Sequence, residues 1–395
     1  MQLTDFDFLL SPEGQTLLHA TAVTPITPQN HLQIASQLRQ QLPPPHAQAI
    51  IDTLILRQRA TKKFGHAAEM YFTRNALEQA SSEIIAVYRA QRFVKVGIQT
   101  VADLGCGIGG DALALAQHVW VLGVDLDPLR LAMARENVAA YGGAGRFQPV
   151  QADLTHFAPP YVDALFFDPA RRDAQGKRIY SLHDYKPPFS LVDRWRRTVE
   201  GTAVKISPGV HYDELPPATQ AEVEFISVNG EVKEGVLWFG SLSSQASRRA
   251  TLLPDGWSLT DLDAPGQQVA VTTSQNYLFE PDGAVIRAHL VQALARQINA
   301  TQIDKEIAYL TTNEFIKTPF GRWFALEDAF PFQLKRLRHY LRDRKIGKAT
   351  IKKRGSPLDV ARLQRQLKLR GDKHCYIFLT QVMGVPTVLI GQSIA

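Results

Sequence analysis

The stretch Val101-Ala102-Asp103-Leu104-Gly105-Cys106-Gly107-Ile108-Gly109-Gly110-Asp111 constrains this chain more than any other. An apolar run with strand character enters a glycine-rich turn, and a helical pattern opens directly after it. Glycines let the backbone turn tightly, admit a ligand close to the main chain, and pack the helix against the strand. Strand-like and helical runs then alternate: Val119–Val124, Pro128–Ala140, Phe147–Val150, Ala164–Phe167 and Ala203–Ile206. Repeated strand–helix units predict a parallel sheet covered on both faces. Val223–Val228 and Gly235–Phe239, joined through Asn229-Gly230, predict an antiparallel hairpin at one edge of that sheet.

Acidic residues stand where these strands end. Asp125 closes Val121-Leu122-Gly123-Val124-Asp125, twenty residues after Gly105, where a carboxylate can accept from both ribose hydroxyls of an adenosine moiety. Asp103 puts a second carboxylate beside the ligand, which is unhelpful next to a pyrophosphate but suits the ammonium of a methionine-like moiety. Asp153, in Gln151-Ala152-Asp153-Leu154, ends the third strand, near the expected place of an adenine amino group. Gly105, Gly107 and Gly110 also satisfy the dinucleotide fingerprint, so a nicotinamide-dependent dehydrogenase is an alternative against which these acids weigh. The blander alternative is a set of tight turns in an empty sheet, with Asp125 and Asp153 as strand-end caps.

Asp-Leu-Gly-Cys-Gly-x-Gly-Gly, followed by Gly-Val-Asp-Leu-Asp and Gln-Ala-Asp-Leu, resembles the class I S-adenosylmethionine-dependent methyltransferases over about residues 70–240. The resemblance implies that the turn at Gly105, Cys106, Gly107 and Gly109 cradles the methionine portion of that cofactor and that Asp103 reaches its amino end. It further implies that Asp125 and Leu126 hold the ribose region, and that Ala152, Asp153 and Leu154 face adenine.

Ala164-Leu165-Phe166-Phe167-Asp168-Pro169-Ala170-Arg171-Arg172 falls where methyltransferases of base amino groups carry an acid or Asn, two prolines and an aromatic. Asp168 and the Pro169 carbonyl match that pattern as acceptors for a target amine, so catalysis would be mostly positioning and electrostatics. Ala170 replaces the second proline and Arg171 the aromatic. Arg171 and Arg172 can stack on a base or hold a phosphate, or be solvated surface charge.

Residues 1–95 read as a helical domain. Ser11-Pro12-Glu13-Gly14 resembles a helix start, Leu42-Pro43-Pro44-Pro45 a break, and helices are expected at about 47–59 and 76–92. Met70-Tyr71-Phe72-Thr73 is similar to the segment that closes over the cofactor in relatives of RNA guanine-N2 methyltransferases, which would put Phe72 and Thr73 at the substrate. Thr73 also serves more simply as a helix cap. Residues 96–242 form the methyltransferase domain and 243–330 a connecting segment with one helix at about 284–298. Residues 331–395 are expected as helix, strand, helix and a strand pair turning at Gly384-Val385-Pro386. The whole layout resembles methyltransferases with a THUMP-like C-terminal domain. The fold expected is thus α/β: a Rossmann-like methyltransferase sheet with a helical N-terminal domain and a small basic α/β C-terminal module.

Charge marks that last module. From Lys335 to Lys373 fifteen Lys or Arg stand against three acids, although the whole chain of 395 residues carries only +6. Lys352, Lys353 and Arg354 are candidate phosphate contacts, which makes RNA the expected partner; a merely solubilising face is the alternative. Two distant cysteines and histidines without ligand spacing give no metal site. No run approaches the ~20 apolar residues of a membrane helix, and the acidic first residues do not read as a signal peptide, so a cytoplasmic protein is expected. The leading expectation is an S-adenosylmethionine-dependent methyltransferase acting on RNA at a base nitrogen. A small-molecule or protein methyltransferase, or a non-catalytic RNA-binding protein that keeps the cofactor fold, are the rivals. Oligomeric state is not legible.

Overall fold

The computed structural model describes residues 1–159, 161–170, 179–217 and 220–394. They divide into two compact units, Met1–Ala221 with Val236–Ser244, and Glu222–Gly235 with Gln245–Ala395. The helical N-terminal region and the glycine-turn sheet therefore share one unit, and the segment after 244 shares the other with the basic module.

The first unit opens with helices α1 (Leu3–Leu10), α2 (Pro12–Ala22), α3 (His31–Arg39), α4 (Pro44–Ala60), α5 (Arg74–Gln79) and α6 (Glu83–Lys95). Ser11 caps α2 by accepting from the Gly14 amide, with Pro12 at the first helical position. The single helix expected over 76–92 is two, α5 and α6, because Ala80-Ser81-Ser82 breaks it and Ser82 is extended. There follow β1 (Thr100–Leu104), α7 (Ala112–Leu115), β2 (Trp120–Asp125), α8 (Pro128–Ala140), β3 (Phe147–Gln151), β4 (Ala164–Phe167), α9 (Leu191–Trp195) and β5 (Gly201–Ile206). The strands are ordered β3-β2-β1-β4-β5 and all pair in parallel, Val101 lying between Val121 and Ala164. Val101, Ala102, Phe166, Phe167, Ala203 and Val204 are wholly buried, as expected of strands covered on both faces. Successive strands step one way from β1 to β3 and the other way from β4 to β5. A crevice therefore opens beyond the carboxyl ends of β1 and β4, the place where such sheets bind ligands.

The second unit holds β6 (Glu222–Val228), the first half of β7 (Glu231–Phe239), β8 (Arg248–Leu253), β9 (Trp257–Thr260), β10 (Tyr277–Pro281), α10 (Gly283–Arg287), α11 (Val291–Gln297), β11 (Thr301–Gln302), β12 (Leu310–Thr312) and β13 (Gly321–Pro331). It ends with α12 (Leu334–Asp343), β14 (Ile346–Lys353), α13 (Val360–Leu367), β15 (Lys373–Val382) and β16 (Val385–Ser393). Asn229 and Gly230 both take positive φ in the hairpin turn. The hairpin is not an edge, because β8 runs parallel beside β6 and β9 antiparallel beside β8. Polar residues conceal β8 in the sequence: Arg249 donates to the buried Glu222 at 2.6 Å and Thr251 to Glu224 at 2.5 Å.

The expected connecting segment is built into the module. β10 to β13 join β14 to β16 in one sheet of order β11-β12-β10-β13-β16-β15-β14. The one helix expected over 284–298 is two, separated at His289, whose φ is +58°. The last turn sits at Met383-Gly384, both at positive φ, one residue earlier than expected. α12 and α13 bury Leu337, Leu341, Leu363 and Leu367 against Ile377, Leu379, Val388 and Ile390.

Candidate functional site

The turn after β1 is held from both sides. The Gly105 and Cys106 amides donate to the Val124 carbonyl, and the Gly107 amide donates to Asp125 Oδ2 at 2.9 Å. Gly105 and Gly107 both lie at positive φ; a Cβ on Gly105 would meet the Asp168 carbonyl oxygen at 2.8 Å, whereas one on Gly107 would meet nothing. The turn thus presses on the end of β4 at one glycine and faces open space at the next, which leaves a cradle for a ligand. Cys106 is buried beneath it, and burial pushes its thiol well above the ordinary range.

Asp125 is nearly buried and its carboxylate is fixed at both oxygens, since Oδ1 accepts from the Asp127 amide at 2.9 Å. Asp127 in turn caps α8. Leu126, beside it, is 64 % exposed and offers an apolar face at the rim. The Ala152 amide donates to the Asp125 carbonyl, Leu154 is buried, and Asp153 is exposed. Hydrogen bonds from the Thr155 hydroxyl and amide hold Asp153 below the usual carboxylate range.

Asp103 is 1 % exposed, and neither carboxylate oxygen has a hydrogen-bond partner among the described residues. Burial first, and then the neighbouring Asp168 carboxylate, push its pKa up to about 7, against the pull of Arg89 and Lys205. A buried acid without a donor is costly unless a cation or donor arrives to meet it.

At the end of β4, Asp168 accepts from the ammonium of Lys205 at 2.6 Å, and its amide donates to the Leu104 carbonyl. Lys205, on β5, is 1 % exposed and also donates to the Ser81 hydroxyl at 2.8 Å. Ser81 donates to Asp111, which forms an ion pair with the buried Arg89 of α6. Pro169 is buried. The Ala170 amide returns to the Lys186 carbonyl at 3.0 Å. Arg171 and Arg172 lie outside the described residues.

Phe72 is 1 % exposed and packs on Phe64, so it faces core. Thr73 caps α5, its hydroxyl accepting from the Ala76 amide at 3.2 Å. The segment is nonetheless bound to the glycine turn by Asn137. That fully buried amide accepts from the Tyr71 amide and donates to the Tyr71 and Ile108 carbonyls.

Several of these residues escaped the sequence reading. Lys205 interrupts a wholly buried strand, and Arg89 sits on the buried face of α6 with Ile85, Ala86, Ala90 and Phe93. A charge in an apolar stripe was the available signal for both. Tyr180 had no local signal. Its ring is 43 % exposed and lies so close to Gly209, after β5, that a Cβ there would meet it at 2.7 Å.

In the basic module, Lys352 is paired with Glu280, and Arg354 donates to the Ala308 carbonyl at 3.1 Å while covering the Tyr309 ring. Lys353 is exposed, as are Lys335, Arg336 and Arg342 of α12 and Arg362 and Arg365 of α13. Among the described residues no group of His, Cys, Asp and Glu could hold a metal ion, and no helix is long and apolar enough to cross a membrane.

Comparison with known proteins agrees with this geometry. Residues 101–168 match a methyltransferase domain, 321–393 a THUMP domain-like model, and 2–60 a domain of unknown function (DUF8688). Two proteins of Mycobacterium tuberculosis, from strains CDC 1551 and H37Rv, are each 35 % identical over 344 residues. Those matches cover 84 % of this chain and 92 % of theirs, and both relatives are named as uncharacterized S-adenosylmethionine-dependent methyltransferases. The trimethylguanosine synthase of Schizosaccharomyces pombe is 30 % identical over 98 residues, 22 % of this chain and 41 % of its own. A solved structure from Porphyromonas gingivalis W83, described as a methyltransferase, superposes with TM-score 0.73 at 19 % identity over 94 % of this chain and 100 % of its own.

Proposed function

Because the chain belongs to the S-adenosylmethionine-dependent methyltransferases, we propose that it methylates RNA, at a base nitrogen. The observation that carries this reading is the carboxylate of Asp168, fixed at the crevice between β1 and β4 with Pro169 directly after it. The residues present fit the cofactor: open space at Gly107, an unmet buried carboxylate at Asp103, and a fixed carboxylate at Asp125. When bound, the cofactor supplies a methyl group made electrophilic by its sulfonium. The protein's part is to bind, align and exclude water. Asp168 and the Pro169 carbonyl accept from the N–H groups of the target amine, which turns the nitrogen lone pair toward the methyl group. The proton lost from the nitrogen leaves through the Asp168 carboxylate.

RNA as the acceptor rests on chemistry and on kinship. Exposed Lys353 and the exposed cations of α12 and α13 can neutralise phosphates without reading sequence. Residues 321–393 match the THUMP domain-like model, and one relative is named for making trimethylguanosine. Labelled methyl transfer to total RNA from a strain lacking the protein, followed by nucleoside mass spectrometry, should yield a methylated base that dead protein does not make. Transfer should weaken steeply with salt. Unlabelled RNA, with label on small molecules or protein instead, overturns the RNA reading.

Asp103 gives the cofactor site a pH signature. With its pKa at about 7, it is mostly neutral in acid and charged above neutrality. An ammonium binds the charged form, so affinity for S-adenosylhomocysteine should rise with pH up to about 7 and then level off. Asp103→Asn should bind more weakly and without that slope. Calorimetry across the range checks both; a slope that survives Asp103→Asn removes Asp103 from the amino end.

A further inference from the structure

We infer that Lys205 is a positioning residue, whose ammonium, anchored on Ser81, fixes the orientation in which Asp168 meets the methyl acceptor. The inference rests on the role just proposed for Asp168, and the observations behind it are independent of the sequence motif. Phe167 on β4 lies opposite Val204 on β5, so the next residues, Asp168 just past β4 and Lys205 still on β5, stand side by side at the carboxyl edge. The lysine reaches Asp168 Oδ2 at 2.6 Å and Ser81 Oγ at 2.8 Å. Ser81 stands in the break between α5 and α6, held there through Asp111 and Arg89.

Stability alone is a poor reason for such an arrangement. Lys205 is 1 % exposed while Asp168 keeps 21 % of its side chain open. Burying a lysine costs desolvation that its ion pair barely repays, and apolar replacement of such pairs is often neutral. What the arrangement does provide is angular precision. A carboxylate beyond the end of a strand can rotate about χ1 and χ2, and an acceptor tilted by tens of degrees no longer aims the lone pair at the methyl group. The ammonium closes that freedom from beneath. Ser81 is what keeps a flexible four-carbon stem from wandering, and this explains why α5 and α6 are interrupted where helical periodicity runs on.

The test compares Lys205→Met, Lys205→Arg and Ser81→Ala with the wild-type chain, using labelled S-adenosylmethionine and total RNA from a strain lacking the protein. Lys205→Met should lower kcat by about tenfold or more, leave KM for RNA and affinity for S-adenosylhomocysteine within about threefold, and be partly rescued by Lys205→Arg. In an Asp168→Asn background the Lys205 substitution should cost little more, since both changes spoil the same contact. Ser81→Ala should give a smaller loss of the same kind, and it carries the kinetic test if Lys205→Met does not fold. An acceptor-free measurement separates this inference from the RNA reading. In protein with carbon-13 aspartate, the Asp168 carboxylate signal, assigned through Asp168→Asn, should shift and broaden in Ser81→Ala and in Lys205→Met. Wild-type protein that leaves RNA unlabelled refutes the RNA reading only. An unmoved Asp168 signal, or losses that add in the Asp168→Asn background, overturns the role of Lys205.

Discussion

Asp168→Ala should lower kcat for methyl transfer by about 10²- to 10³-fold, the usual effect of removing one preorganised electrostatic group. Affinity for S-adenosylhomocysteine should stay within about threefold, because the turn is held by other groups: the Val124 carbonyl and Asp125. Asp168→Asn should fall between, since an amide oxygen still accepts from an amine but pairs less strongly with the Lys205 ammonium. Initial rates and calorimetry on the same preparations check the separation. Alanine is the sharper test of chemistry, yet it leaves Lys205 buried beside a missing partner, so a thermal melt must accompany it. A folded Asp168→Ala protein that turns over at close to the wild-type rate assigns the acceptor's orientation to another residue.

The sheet and its glycine turn were legible because they obey local rules. Val101, Ala102 and Leu104 make an apolar strand around the single acid Asp103, the glycines follow at once, and Asp125 stands one strand on. What escaped is set by distant partners. Helical periodicity continues through residues 80–82, and only distant partners, Asp111 and Lys205, give Ser81 its reason to leave the helix. The same holds for Asn137, whose amide links Tyr71 to Ile108 from within α8. Analogy puts Phe72 and Thr73 at the substrate; Phe72 instead packs in the core, and Thr73 takes the simpler of its two readings, a helix cap. In the basic module a charge count treats all cations alike. Burial divides them: Lys352, bound to Glu280, and Arg354, bound to a carbonyl, are half-buried, while Lys353 and the outer cations of α12 and α13 are exposed. β8 was missed for a related reason, since its arginine and threonine look like loop until Glu222 and Glu224 are placed beside them.

Asp125→Ala should raise the dissociation constant for S-adenosylhomocysteine at least about tenfold. Each charge-assisted hydrogen bond to a ribose hydroxyl is worth roughly 1.5–3 kcal/mol, and about 1.4 kcal/mol is a factor of ten in affinity. Both carboxylate oxygens already accept one backbone amide, from Gly107 and from Asp127, and each retains acceptor capacity for a hydroxyl. The substitution therefore does two things, removing the ribose contact and loosening the turn, and affinity alone does not tell them apart. A deoxy analogue of the ligand does. Removing one ribose hydroxyl should weaken binding to wild-type protein by about tenfold and to folded Asp125→Ala by far less, because the partner of that hydroxyl is already gone. Equal losses on both proteins would make Asp125 a clamp on the turn and nothing more. Binding of NAD in place of S-adenosylhomocysteine would remove the role of Asp103 at the amino end and the cofactor with it, and would leave Asp125 a ribose to hold.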